Sequence, residues 1–94
     1  MNRHATIFHP LEIELLERIE SCETCSSFGI TAEKGESSGV LVHHRGRSVG
    51  LWSCQRGKLC FRSLSNRDVV HIADGIDVAL AVTVGMASTS RWQA

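Results

Sequence analysis

The sequence predicts a small α+β domain: an antiparallel β-meander of three to five strands, flanked by an N-terminal and a C-terminal helix packed on one face. Three observations predict it. Apolar residues keep a helical period from Leu11 onward, and near the other end an alanine-containing apolar segment follows a capping-box-like Asp pair. The middle is cut by Gly and Ser every few residues into short β-branched or aromatic runs, the mark of antiparallel hairpins. The 94 residues, 43% of them apolar, suffice for one domain near the lower limit of a self-sufficient core.

The first helix starts at Pro10, which suits a first helical turn because its missing N–H has no partner there anyway. Leu11, Leu15, Ile19, Cys22 and Cys25 share an arc of about 120° at a helical period. Glu12, Glu14, Glu17, Glu20 and Glu23 fall outside that arc and are expected to face solvent. Residues 1 to 9 read as a flexible arm and 89 to 94 as a tail. Strands are expected near Ile30–Lys34, Val40–Arg45, Val49–Cys54, Leu59–Ser63 and Val69–Ile72, joined by the turns "GESSG", "RGR" and "QRGK".

The segment "DGIDVALAVTVGMAS" alternates like a strand, yet Asp74 and Asp77 resemble a capping box and the alanines favour a helix. A helix is the expectation, with Asp74 as its cap. It is apolar nearly all round, which a second subunit would cover, so a homodimer is expected. The α-β-β-β-α order is shared by double-stranded-RNA-binding domains, but their basic helix start is missing. Element order alone assigns no family.

The four cysteines decide between packing and a metal. A zinc site would join Cys22 and Cys25, at knuckle spacing, to Cys54 and Cys60. The hairpin "GLWSCQRGKLCFR" sets whether the second pair can serve. A two- or four-residue loop places Cys54 opposite Leu59 and Trp52 opposite Phe61, with Leu51, Ser53, Cys60 and Arg62 on the other face. A three-residue loop instead puts Cys54 and Cys60 on one face, about 7–8 Å apart. Only the first register gathers Trp52, Leu59 and Phe61 on one side, so it is preferred and the thiols are split. The cysteines then read as buried packing, and no cofactor is expected. A redox role for "CETC" is disfavoured where the pair follows a helix, since the negative helix end and Glu20 and Glu23 would raise the thiol pKa.

No enzyme is read here. The five histidines show no zinc-helix spacing, and no nucleophile motif or phosphate-binding glycine loop occurs. His71 with Asp74 is the weak catalytic rival. Charge gives the better lead. Leu11 to Glu36 holds seven Glu against Arg18 and Lys34, whereas Ser37 to Arg67 contains no acid at all. His43, Arg45, Arg47, Arg56, Lys58 and Arg62 lie in that basic block and are the candidate binding residues. The expected function is non-enzymatic binding, through a basic sheet face or edge, of an acidic partner, foremost a protein. A zinc-stabilised domain and a nucleic-acid-binding module are the alternatives. The absence of stackable aromatics and a net charge of zero argue against nucleic acid. With no apolar run long enough for a signal peptide or a membrane span, a cytoplasmic location without membrane contact is expected.

Overall fold

The computed structural model describes residues 8–89. Helix α1 (Pro10–Ser21) and one further turn of helix, α2 (Glu23–Ser27), lead into five strands: β1 (Ile30–Lys34), β2 (Val40–His44), β3 (Arg47–Gln55), β4 (Lys58–Ser63) and β5 (Val70–Ala73). Helix α3 (Ile76–Thr89) follows. The strands form one antiparallel sheet in the order β1-β2-β3-β4-β5, and the helices cover one of its faces. The expected α+β architecture is therefore the observed one, with five strands. Among the described residues no helix is long and apolar enough to cross a membrane.

Two of the hairpins turn on Arg-Gly pairs. Arg45 and Arg56 have φ of 54° and 55°, followed by Gly46 and Gly57 at 84° and 80°. Two successive positive φ angles make the mirror-image turn whose twist matches that of paired strands. Gly adopts this freely; Arg does so at a cost of about 1 kcal/mol, whereas Asn tolerates it. Arg56→Asn is accordingly expected to raise stability by about 0.5–1 kcal/mol, read as a higher urea midpoint at unchanged m. A lower midpoint contradicts the turn assignment.

In the β3–β4 hairpin, Trp52 lies opposite Phe61, Cys54 opposite Leu59 and Ser53 opposite Cys60, the register preferred from the apolar pattern. The β2–β3 pairing is less regular. Val42 pairs with Gly50 but His43 with Ser48, so Val49 is an extra residue in β3. This bulge decides which face of β3 is buried. Without it, Val49 and Leu51 would lie opposite Val42 and Val40, and Trp52 would point to solvent.

Ile30, Ala32, Val40, Val42, Trp52, Leu59 and Phe61 point at the helices and meet Leu15, Ile19 and Cys25 from one end and Ala79, Met86 and Ala87 from the other. Trp52 and Phe61, both fully buried, set their ring centroids 5.2 Å apart. The indole N–H donates to the Thr83 hydroxyl at 3.0 Å, and that hydroxyl donates to the Ala79 carbonyl at 2.8 Å. The one polar atom of the largest core side chain is thus satisfied by α3.

Three expectations change at the helices. Glu12, expected in solvent, is 4% exposed. Its Oε1 accepts the N–H groups of His9 (3.1 Å) and Gly39 (3.2 Å), and its Oε2 accepts that of Cys54 (2.8 Å). One carboxylate thereby ties the start of α1 to the β1–β2 loop and to β3. The arm loses its last two residues: Lys34 Nζ stands 5.1 Å over the Phe8 ring, and His9 caps α1 by accepting the Leu11 N–H on Nδ1 at 3.0 Å. Residues 1–7 of that arm and 90–94 of the expected tail lie outside the described residues, while Thr89 belongs to α3. Helix α3 begins at Ile76, and the Asp74 carboxylate accepts Lys58 Nζ at 2.8 Å rather than heading the helix. Only part of α3 is buried; Val78, 48% exposed, points outward together with Ala81 and Gly85.

Candidate binding face of the sheet

Because every helix lies on one side, the other side of the sheet is open among the described residues. The strand registers place Leu41 beside Leu51, Leu51 beside Arg62 and Arg62 beside Val70 across it, with Ser53, Cys60 and Ile72 forming the next row. Ile72 is 66% exposed and Leu64 55%. A groove of about 480 Å³ runs over β3 and β4, lined by Leu51, Ser53, Cys60, Arg62, Leu64 and Arg67.

The β4–β5 loop brings Leu64 and Arg67 to that groove, and it is tightly made. Ser63, buried at the end of β4, accepts the N–H groups of Ser65 and Asn66 on its hydroxyl, both at 3.3 Å. Asn66 accepts the Asp68 N–H on its side chain and the Val69 N–H on its carbonyl, each at 3.0 Å. The Leu64 N–H donates to the Val49 carbonyl at 3.0 Å. Arg62 reaches the Arg67 carbonyl at 3.4 Å. Side chains on such a loop are presented in place rather than ordered only on binding.

The six residues expected to bind do not form one patch. His43 lies on the open face, but Glu33 (2.7 Å) and Ser48 (3.1 Å) occupy its two ring nitrogens. Arg45 and Arg47 sit at the β2–β3 turn, Arg56 and Lys58 at the β3–β4 turn. These turns are the two ends of the nine-residue β3, roughly 26 Å apart at about 3.3 Å per residue. Lys58 is paired with Asp74, a contact that raises the Lys58 pKa and lowers that of Asp74 from their ordinary values, mainly through the hydrogen bond. Arg62 alone of the six lines the groove. Arg67, Leu64, Val70 and Ile72 are the residues of this face that the sequence did not mark. Their signal was the odd Leu in the polar stretch "SLSN" and the apolar outward positions of the last strand.

Charges are separated across the molecule. Among the described residues, the ion pairs are Arg18–Asp77, His43–Glu33 and Lys58–Asp74. Glu14, Glu17, Glu20 and Glu23 face solvent on the helical side with no cationic partner among the described residues. Arg45, Arg47, Arg56, Arg62 and Arg67 have no carboxylate of the described residues within ion-pair distance. The acidic helix therefore does not neutralise the basic meander within one chain.

The thiols are not gathered. Cys54 packs against the core and Cys60 lines the groove on the opposite face. No three His, Cys, Asp or Glu side chains among the described residues form a metal-holding group. His71 lies 6.4 Å from the Phe61 ring, facing the helices, while Asp74 turns to Lys58. The "CETC" segment departs from expectation. Helix α1 stops at Ser21 and Cys22 caps both helices: it follows the negative end of α1, as expected, but its sulfur accepts the Cys25 N–H at the start of α2.

No protein-family model matches the chain, and comparison with the curated proteins and with the solved structures returns no match.

Proposed function

We propose that the protein is a non-enzymatic binding module whose open sheet face holds an acidic protein segment that also carries apolar side chains. The observation that carries this reading is the groove in which Arg62 and Arg67 stand beside Leu51 and Leu64 with no carboxylate among the described residues to answer them. Apolar surface gives such a contact its affinity, and the two guanidinium groups give it orientation and preference of charge. Arg suits the task, since its rigid fork takes a carboxylate with two parallel hydrogen bonds. A groove of about 600 Å³ on the helical side, between β5 and α3, is lined by Val82, Gly85, Met86, His71 and Asp68, with no Lys or Arg among the described residues that line it. It offers an acidic segment nothing comparable.

The test is binding of a synthetic peptide of alternating Glu and Leu, its Lys-Leu counterpart, and a single-stranded oligonucleotide. The expected result is salt-sensitive binding of the Glu peptide alone. Arg62→Glu with Arg67→Glu should weaken it at least about tenfold while leaving the circular dichroism spectrum intact. Equal binding of the Lys peptide, or preferred binding of the oligonucleotide, contradicts the proposal. Self-association through the outward side of α3 is compatible with this reading, because it leaves the open face free. A two-chain mass in sedimentation equilibrium is its test.

A further inference from the structure

Cys22 and Cys25 differ from each other more than two packing residues in one stripe should. Cys22 adopts an extended conformation, φ −88° and ψ 117°, between two helices. Its N–H closes α1 on the Ile19 carbonyl at 3.3 Å, and its sulfur accepts the Cys25 N–H at 3.3 Å. Both cysteines therefore sit on one turn of chain, joined by this bond from the Cys25 amide to the Cys22 sulfur. Cys22 is half-buried, whereas Cys25 is fully buried among the core residues. This contact and the unequal access to solvent are the two features that matter; the turn of helix between them only fixes their spacing.

The electrostatics follow from the same contacts. The backbone N–H of Cys25 lowers the Cys22 pKa from its ordinary value, outweighing the opposing effect of partial burial. The Cys25 thiol, the Thr24 N–H and the Arg18 charge act in the same direction as that N–H. Burial pushes the Cys25 thiol up to about 12, and its bond to Cys22 adds to the rise. The accessible sulfur is the more readily ionised one, the combination that makes an attacking thiol, while its neighbour stays protonated.

We propose that Cys22 and Cys25 form a thiol–disulfide exchange site, in which Cys22 reacts with a low-molecular-weight disulfide and Cys25 resolves the product into an intramolecular disulfide. In the first step the Cys22 thiolate attacks one sulfur of the external disulfide. Its S–S bond breaks, and one half leaves as a thiolate that takes a proton from water. In the second step Cys25 gives its proton to solvent hydroxide and attacks the Cys22 sulfur, expelling the other half as a second thiolate. Two protein thiols are oxidised and one external disulfide is reduced to two thiols. The high pKa of Cys25 makes the second step slow at neutral pH. The mixed disulfide on Cys22 therefore accumulates first, and closure quickens as the solution becomes alkaline. The site lies on the helical side, away from the Arg62–Arg67 groove, and does not depend on the binding reading.

The test treats the intact chain with oxidised glutathione and follows its mass and peptide map over time and pH. Cys54 and Cys60 serve as internal controls. The expected result is glutathione on Cys22 at least about tenfold faster than on either control, followed by loss of glutathione and of two hydrogens per chain. Cys22→Ser abolishes both products; Cys25→Ala retains the mixed disulfide without closure. Should Cys25→Ala fail to fold, the rise of the closure rate with pH in the unaltered chain decides the same point. First reaction at Cys54 or Cys60, or a Cys22 adduct that never closes even at alkaline pH, overturns the proposal.

Discussion

Gly50→Ala is expected to lose about 3 kcal/mol of stability or more, at the upper end of what overpacking a core costs, lowering Tm by roughly 12–24 °C. The reason is local. A Cβ at residue 50 would stand 2.0 Å from Cζ of Phe61 and 2.4 Å from Cε1, because the Phe61 ring lies across the glycine. The ring has nowhere to go, being fully buried against Trp52. Adding Phe61→Leu removes the obstructing ring, so the double variant should be markedly less destabilised than the sum of the two single changes. Denaturant melts of the four proteins measure this coupling. Simple additivity would mean that the ring does not occupy the space above Gly50.

The second large effect belongs to Glu12. Truncating it to Ala strands the N–H groups of His9, Gly39 and Cys54, of which Gly39 is buried and Cys54 half-buried. An orphaned buried donor costs about 1–3 kcal/mol, so Glu12→Ala should cost about 3 kcal/mol in chemical unfolding. Glu12→Gln should cost less, since its amide oxygen still accepts while its NH₂ opposes a donor. By comparison, Glu14→Ala and Glu17→Ala, on the exposed side of α1, should change stability by no more than about 0.5 kcal/mol. Hydrogen exchange adds a positional readout: in Glu12→Ala the Gly39 and Cys54 amides should lose protection before those in mid-sheet. Equal cost at residues 12 and 14 would contradict the buried carboxylate.

The meander was legible because its hairpins are punctuated by Gly and its strands alternate. The Trp52–Phe61 register followed from one requirement, that three large apolar side chains share a face. The C-terminal helix was legible from its alanines despite its alternating valines. What escaped the sequence depends on distant partners. Glu12 falls off the apolar arc by spacing, and nothing local shows that three backbone N–H groups from three parts of the chain converge on it. The bulge at Val49 exists because both Val40–Val42 and Gly50–Trp52 must face inward across a two-residue turn. That conflict appears only once the turn length is known. The break at Cys22 was hidden because residues on either side keep the helical period. For the binding face, Arg62, Leu51 and Cys60 were placed correctly on one side of the sheet. The basic block does not fold into one patch, because a meander sends successive turns to opposite ends.

The most direct measurement of the binding account is amide chemical-shift mapping of the protein with the Glu-Leu peptide. The account predicts shifts concentrated at Leu51, Cys60, Arg62, Leu64, Arg67 and Ile72, weakening as salt is added, with α1 and α3 undisturbed. Shifts confined to the two turns at Arg45 and Arg56, or to the helical side, would contradict it.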